Sequence, residues 1–159
     1  RVLFRSLHAL DSLAVAPQLA AARLLDVGSG AGLPGIPLAL LRPSMRVTLL
    51  EANQKKAAFL QQCVIELSLA NVDVTAVRVE QWQPADRFDV VITRAFSDLA
   101  AFVAAAAHLC AAGGVLAAMK GGDPQPELRR LPAHVRVRSV TALQVPGLDA
   151  ARHLVLLEP

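Results

Sequence analysis

Residues 26–35, DVGSGAGLPG, follow the apolar residues Leu24 and Leu25 and lead into residues 36–41, which are spaced as in a helix. An apolar strand that ends in a glycine-rich turn before a helix predicts a strand–loop–helix unit. Glycine adds no Cβ and tolerates positive φ, so this turn lets the backbone approach a ligand closely. Because the first N–H groups of the helix point at the same place, the stretch predicts a ligand-binding loop.

The spacing of the glycines separates two classes of cofactor. The dinucleotide fingerprint G-x-G-x-x-G requires a glycine at position 33, where this chain has Leu33. Gly28, Gly30 and Gly32 form instead the pattern G-x-G-x-G. This pattern is typical of S-adenosylmethionine (SAM) sites, where no pyrophosphate has to be accommodated. A glycine-rich connection that binds no ligand is the alternative.

An acidic residue stands at the end of the second predicted strand. Residues 46–50 are mostly apolar and end in Glu51, which lies 21 positions after Gly30. Rossmann-like units place an acidic side chain about 20 residues beyond the glycine loop, where it binds ribose hydroxyls. A solvated glutamate at a strand end is the alternative, but the combination with the glycine loop favours ribose binding.

Strands and helices alternate along most of the chain, which predicts a doubly wound, mainly parallel sheet. The predicted strands are 23–28, 46–51, 72–79, 88–93 and 114–120, and the predicted helices are 1–19, 35–42, 54–69, 98–111 and 123–131. Two closing strands, 134–143 and 152–158, predict an antiparallel hairpin at one edge, as in SAM-dependent methyltransferases. We therefore predict an α/β fold of the Rossmann-like class I SAM-dependent methyltransferase type, in one domain over residues 1–159.

The composition limits the classes of protein that fit. Of 159 residues, 54% are hydrophobic and 18% charged, which suits a sheet covered on both faces. Residues 99–119 are apolar enough to suggest a membrane span, but His108 and the pair Gly113-Gly114 interrupt them. We predict a helix, a tight turn and a buried strand there, and no membrane association. Cys63 and Cys110 lack metal or redox spacing, which predicts reduced thiols, no metal site and a cytoplasmic protein.

The charge permits a nucleic-acid partner without requiring one, since the net charge is only +3. Basic residues concentrate late in the chain. Arg136 and Arg138 alternate with valines, which predicts that both lie on one face of a strand. A guarded sheet edge and a contact with phosphate explain this pattern equally well.

Three basic residues follow predicted strands or turns at the carboxyl ends of the strands, where ligands of such sheets bind. They are Arg94, Lys120 and Arg152, and their shared location predicts a site that holds a polyanion beside the cofactor. Residues 93–96 read TRAF, which differs from the Asn/Asp-Pro-Pro-aromatic sequence used for exocyclic amines, and neither cysteine has the context used for pyrimidine carbon-5. Guanine N7 has no proton to lose, so it needs positioning and no general base. Phe96 fits either stacking on a base or core packing.

Eight stretches, spread in order over nearly the whole chain, match the pattern of one family. They are HALDSL at 8–13, DVGSGAGLPGIP at 26–37, KKAAFL at 55–60, RVE at 78–80, TRAF at 93–96, MKG at 119–121, LQVPGLD at 143–149 and RHL at 152–154. In these stretches the chain resembles the glucose-inhibited division protein B family, bacterial methyltransferases that act on guanine N7 in small-subunit ribosomal RNA. The resemblance implies SAM as the cofactor and 16S ribosomal RNA, naked or in the small subunit, as the partner.

The resemblance also implies roles for individual residues. Those implied to bind SAM are Gly28, Gly30, Gly32, Leu33, Glu51, Val79, Glu80 and Arg94. Those implied to act in catalysis are Arg94, Lys120 and Arg152. Those implied to contact RNA are Arg78, Lys120, Arg152 and His153, with the alternative that some of them order the site. Glu51 stands where the family often has aspartate.

Family members usually carry a longer helical segment before His8, so we expect that N-terminal extension to be truncated here. Two other functions stay open at this point: an RNA-binding ribosome-assembly factor without catalysis, and a methyltransferase of small molecules or proteins. The complete glycine pattern and Glu51 argue against the first, and the basic residues argue against the second. Nothing in the sequence demands a dimer, so we expect a monomer.

Overall fold

The fold is built on one mixed sheet of seven strands. The computed structural model describes residues 2–159, with side chains from Leu7 onward. The strands are β1 (Arg23–Val27), β2 (Arg46–Leu50), β3 (Val72–Thr75), β4 (Phe88–Thr93), β5 (Cys110–Lys120), β6 (Arg136–Ala142) and β7 (His153–Glu158). The α-helices are α1 (Val2–Ala14), α2 (Gly35–Leu41), α3 (Gln54–Glu66), α4 (Leu99–Ala106) and α5 (Gln125–Leu128).

The strand order confirms the predicted fold. The order is β3-β2-β1-β4-β5-β7-β6. Strands β1 to β5 are parallel, and β7 runs antiparallel to both β5 and β6. The chain leaves β1 toward β2 on one side and later returns to add β4 on the other. A parallel sheet of this kind binds ligands outside the carboxyl ends of the strands at that point of reversal.

Apolar layers cover both faces of the sheet, because successive side chains of a strand point to opposite faces. In β1, Leu24 packs in a cluster with residues of α2 and α3, including Leu38 and Leu60. The next residue, Leu25, packs in a second cluster with Phe102 of α4. Burial on both faces explains why the central strands are continuous apolar runs.

Several predicted boundaries are wrong, among them those of β3 and α4. Strand β3 ends at Thr75 and not at 79, and Val79–Gln81 form a 3-10 helix. Helix α4 ends at Ala106, and Gly113-Gly114 lie inside β5 where a tight turn was predicted. The pairing register with β4 shifts at this place, so the glycines belong to a bulge. A Cβ on Gly114 would lie 2.8 Å from the carbonyl oxygen of Asp89, which shows how closely the strands approach there.

Helix α1 lies within the predicted range 1–19, of which Arg1 is outside the described residues, but it ends at Ala14, and Ala16–Gln18 form a 3-10 helix. The buried side of α1 carries polar residues. The sequence pattern places Leu7, Leu10 and Leu13 on one face, yet Leu10 is 41% exposed. Asp11 and Ser12 are buried instead. A helix that turns a carboxylate toward the interior must offer it partners, because an unpaired buried charge is costly.

Both cysteines are free thiols, with Cys110 buried and Cys63 partly buried. Within the described part of the chain, no helix is long and apolar enough to cross a bilayer. Over the same residues, no group of three or more His, Cys, Asp and Glu side chains is arranged to hold a metal ion.

Candidate functional site

The loop between β1 and α2 depends on glycine for both conformation and space. Gly28, Gly30 and Gly32 have φ angles of 71°, 56° and 86°, which side-chain-bearing residues rarely adopt. A Cβ on Gly28 would lie 2.7 Å from the Cβ of Ala95, in the loop after β4. The N–H of Gly28 donates to the carbonyl oxygen of Leu50 at 2.9 Å, which ties the loop to the end of β2. The loop is therefore tied to the ends of β2 and β4, and its close approach to a ligand stays a prediction.

A buried carboxylate supports this loop from inside. Asp26 is inaccessible to solvent, and its Oδ2 accepts a hydrogen bond from the N–H of Gly35 at 2.9 Å. The hydroxyl of Ser29 donates to the Asp26 carbonyl oxygen at 3.2 Å. Burial raises the pKa of Asp26 from its ordinary value to about 6, against the opposing hydrogen bonds. Asp26 thus ties Ser29 of the glycine loop and Gly35, the first residue of α2, to β1.

Glu51 is fixed at the mouth of the same loop. Its Oε1 accepts from the N–H of Gly30 at 3.0 Å, and its Oε2 accepts from the N–H of Asn53 at 2.9 Å. The residue is only 8% exposed. Each carboxylate oxygen can accept more than one hydrogen bond, so a fixed Glu51 can still accept from hydroxyl groups of a ligand.

A cavity of about 210 Å³ opens beside the loop at the carboxyl ends of the strands. Its lining residues are Val27, Gly28, Leu50, Glu51, Ala52, Val77, Arg78, Val79, Glu80 and Phe96. Sequence reasoning predicted Gly28, Glu51, Val79 and Glu80 as cofactor residues, and the fold brings these four together. Apolar walls and a fixed carboxylate are the chemistry that an adenosine group needs, so the residues present fit SAM. Phe96 both lines the cavity and packs against Phe102, with ring centroids 5.3 Å apart.

Two of the predicted arginines share one carboxylate. Asp11 of α1 is buried, and its Oδ2 lies 3.5 Å from Nη2 of Arg94 and 3.5 Å from Nε of Arg152. Arg94 Nη2 also lies 3.1 Å from Nδ1 of His8. Arg152 Nη1 lies 3.3 Å from the position that a Cβ on Gly121 would take, which places this guanidinium at the end of β5. The fold therefore joins Arg94 and Arg152 through Asp11.

The third predicted basic residue, Lys120, points into the protein. Its ammonium group donates to the carbonyl oxygens of Phe96 and Ser97, each at 3.2 Å, and lies 3.1 Å from Oε2 of Glu127. The same carboxylate oxygen accepts from the N–H of Leu99 at 2.9 Å. An ammonium group has three donors, and these three acceptors use them all. In this arrangement Lys120 orders the loop after β4, and its contact with RNA stays a prediction.

The remaining predicted residues lie around these two groups. Leu33 is partly buried at the start of α2 and does not line the cavity. Arg78 is exposed at the cavity wall. His153 is partly buried in β7, opposite Lys120 in β5, and its Nδ1 has no hydrogen-bond partner among the described residues. The SAM contact of Leu33 and the RNA contacts of Arg78 and His153 stay predictions.

Sequence reasoning assigned no role to Asp11, His8, Glu127 or Asp26. The sequence does indicate that His8 and Asp11 lie close together, because residues three positions apart share a helix face. The contact of Glu127 with Lys120 could not be predicted from the sequence, because it forms only when α5 packs against the loop after β4.

Relatives and solved structures agree on the family and on the fold. A family model described as rRNA small subunit methyltransferase G (GidB) matches residues 3–155. The ribosomal RNA small subunit methyltransferase G of Laribacter hongkongensis is 57% identical over 152 residues, which cover 96% of this chain and 73% of that protein. The protein of the same name from Nitrosospira multiformis is 55% identical over 160 residues, covering 96% and 74%.

Solved structures with low sequence identity share the architecture. A SAM-dependent methyltransferase from Aquifex aeolicus superposes with a TM-score of 0.72 at 19% identity, over 95% of this chain and 91% of that one. TrmN from Thermus thermophilus gives a TM-score of 0.70 at 19% identity, over 94% and 47%. The fold is that of the class I SAM-dependent methyltransferases, and the resemblance found in the sequence is confirmed. By its match to the family model and its identity with these relatives, the chain belongs to the rRNA small subunit methyltransferase G family.

Proposed function

We propose that this protein transfers the methyl group of SAM to N7 of a guanine in 16S ribosomal RNA. The observation that carries the proposal is the cavity at the carboxyl ends of the strands, where the glycine loop, Glu51 and Val79 meet. Relatives that are more than half identical to this chain are named for methylation of small-subunit ribosomal RNA. Site chemistry and family membership therefore support the same reaction.

The cofactor half of the site follows from the cavity. Glu51 accepts hydrogen bonds from the ribose hydroxyls, while its existing bonds to the backbone keep its carboxylate in one orientation. Val79, Glu80 and Phe96 surround the adenine. The glycine loop, with Leu33 at its end, leaves room for the methionine part beside Arg94. When bound, SAM supplies an electrophilic methyl group on a sulfonium.

The acceptor half of the site needs no general base. Guanine N7 attacks with a lone pair and carries no proton, so the chain has only to hold the base in line with the methyl group. Arg94 and Arg152 are donors only, and one carboxylate between two guanidinium groups leaves a positive charge at this place. That charge favours RNA phosphate, with Arg78 and His153 as further contacts. Lys120 contributes by ordering the loop that carries Arg94.

We further propose that the protein acts as a monomer of one domain in the cytoplasm, where small-subunit RNA is found, and not at a membrane. The basic cluster supports a direct approach of the RNA to the carboxyl ends of the strands.

Incubation with methyl-labelled SAM and unmethylated small ribosomal subunits, followed by nucleoside mass spectrometry, tests the proposal. We expect label in 7-methylguanosine and in no other nucleoside. Label in another nucleoside would contradict N7 as the acceptor. SAM binding by calorimetry without any labelled RNA would instead indicate a noncatalytic ribosome-assembly factor, and label in a protein or metabolite would indicate another acceptor class.

A further inference from the structure

Asp11 is the buried carboxylate that links α1 to the candidate site. The residue is 2% exposed and lies between two guanidinium groups from distant parts of the chain. Its second oxygen, Oδ1, is buried and has no hydrogen-bond partner among the described residues. A carboxylate that only stabilised the fold would gain from complete hydrogen bonding, and buried ion pairs are weak evidence of stabilisation. Its position between two arginines that the sequence predicted as site residues favours a role in the site.

The contacts of Asp11 fix the direction of Arg94. The guanidinium of Arg94 contacts Asp11 at 3.5 Å and His8 Nδ1 at 3.1 Å, both from α1. A guanidinium group only donates, so Nδ1 of His8 is the acceptor in this contact. Two acceptors on one helix thus hold a side chain that is only 23% exposed.

The position of the cluster connects it with the glycine loop. Arg94 precedes Ala95, whose Cβ is 2.7 Å from where a Cβ on Gly28 would lie. Arg94 is also close enough to Asp26 for its charge to lower the pKa of that carboxyl, although burial dominates and raises it. Arg152 lies over Gly121 at the end of β5. The guanidinium pair therefore spans the ends of β4 and β5.

We propose that Asp11 is a positioning residue of the methyl-transfer site, which holds Arg94 and Arg152 as one unit toward the RNA substrate. This inference rests on the proposed function. Without the shared carboxylate, two neighbouring guanidinium groups repel each other, and neither keeps a fixed direction. With it, the pair keeps a net positive charge in a defined place. Helix α1 is then part of the site and not only of the fold.

A double-mutant cycle between Asp11→Asn and Arg94→Gln tests the inference. Methyl transfer to unmethylated small subunits and the SAM dissociation constant are both measured for wild type, the two single variants and the double variant. We expect each single variant to lose at least tenfold in methyl transfer, and the double variant to lose little more than either. Asp73→Asn is the matched control, because Asp73 is an exposed, ion-paired aspartate on β3.

Residues in contact also couple in stability, so all four proteins are assayed at a temperature at which each is folded. Coupling of threefold or more in methyl transfer then supports the inference. Coupling below threefold in methyl transfer overturns it. If Asp11→Asn unfolds below the assay temperature, the same cycle is run between Arg94→Gln and Arg152→Gln, which leave α1 unchanged. A wild-type protein that binds SAM but labels no RNA contradicts the proposed function, and the inference falls with it. A wild-type protein that labels RNA without coupling in the cycle overturns the inference alone.

Discussion

The two ends of the parallel strands hold charged side chains in different ways. At the carboxyl end, Lys120 and Glu127 form an ion pair whose side chains are 11% and 16% exposed. At the amino end, Arg136 and Arg138 both donate to Glu158, and these arginines are 78% and 46% exposed. Buried charges must keep their partners because desolvation is costly, whereas exposed charges are solvated by water. Basic and acidic side chains are therefore held in place at the carboxyl end and exposed to solvent at the amino end.

The cavities at the two ends show that size does not identify the site. The cavity at the amino end has a volume of about 720 Å³ and is lined by Arg87, Gly113 and Glu158 among others. The cavity at the carboxyl end has only about 210 Å³. The smaller cavity is lined by Gly28 of the glycine loop and by the fixed carboxylate of Glu51, whereas the larger one is lined by the bulge of β5. Chemistry and topology, and not volume, locate the site.

The largest expected difference between the ends concerns SAM affinity. In the proposed site Glu51 accepts two charge-assisted hydrogen bonds from the ribose, together worth about 4 kcal/mol. We therefore expect Glu51→Ala to raise the SAM dissociation constant about 1,000-fold. Glu158→Ala, the matched change at the amino end, leaves the dissociation constant unchanged. Calorimetric titration with SAM measures both. Equal losses in the two variants would remove the distinction between the ends.

The two ends should contribute to the pH dependence of stability in opposite directions, because the pKa of Asp26 is raised and that of Glu158 is lowered. The raised pKa of Asp26 means that the folded protein keeps a proton that the unfolded chain loses between about pH 4 and about pH 6. Protonated Asp26 makes its full contribution to the free energy of unfolding below that range. This contribution of about 2 to 3 kcal/mol is lost as the pH rises through the range. Asp26→Asn should therefore gain stability over wild type as the pH rises from 4 to 6.

Glu158 supplies the opposite case, because hydrogen bonds from Arg138 and Arg136 lower the pKa of Glu158. Ionised Glu158 stabilises the folded protein above its unfolded pKa, and this stabilisation is lost as the pH falls. Glu158→Gln should therefore be less stable than wild type at neutral pH and approach the stability of wild type in acid. Urea unfolding at a series of pH values follows both variants. A difference between Asp26→Asn and wild type that does not change with pH would contradict the raised pKa.

A smaller effect is expected from the ion pairs themselves. Lys120→Met removes the cation that pairs with Glu127 and the donor of two carbonyl groups. This change should lower the free energy of unfolding by about 2 kcal/mol and slow methyl transfer. Arg136→Met removes an exposed partner of Glu158 and should leave the unfolding midpoint unchanged. Chemical denaturation measures the two variants side by side. If Arg136→Met proves the more destabilising, burial does not determine the strength of these pairs.

The features predicted best from the sequence are those set by residues near each other in the chain. The glycine pattern and Glu51 follow a fixed local spacing, and the alternating strands and helices leave few topologies for a sheet of this size. The prediction of a tight turn at Gly113-Gly114 was wrong. A glycine pair predicts a turn from local sequence alone, whereas the pairing of β5 with β4 makes this pair part of a bulge.

The cationic part of the site was predictable only in outline. The basic residues at the carboxyl ends could be located from the topology, but not the directions of their side chains. Lys120 points inward because Glu127 and the loop carbonyls supply acceptors there. Asp11 meets Arg94 and Arg152 across large separations in sequence, and no periodicity reports such contacts.

Hydrogen exchange of the backbone amides, measured with and without SAM, tests most directly which end of the sheet binds the cofactor. We expect binding at the carboxyl end, and therefore protection by SAM in peptides covering 28–33, 51–53 and 77–80 and no change in peptides covering 107–114 and 134–138. Protection at the amino end of the sheet, or none at the carboxyl end at a SAM concentration that saturates binding by calorimetry, would contradict this expectation.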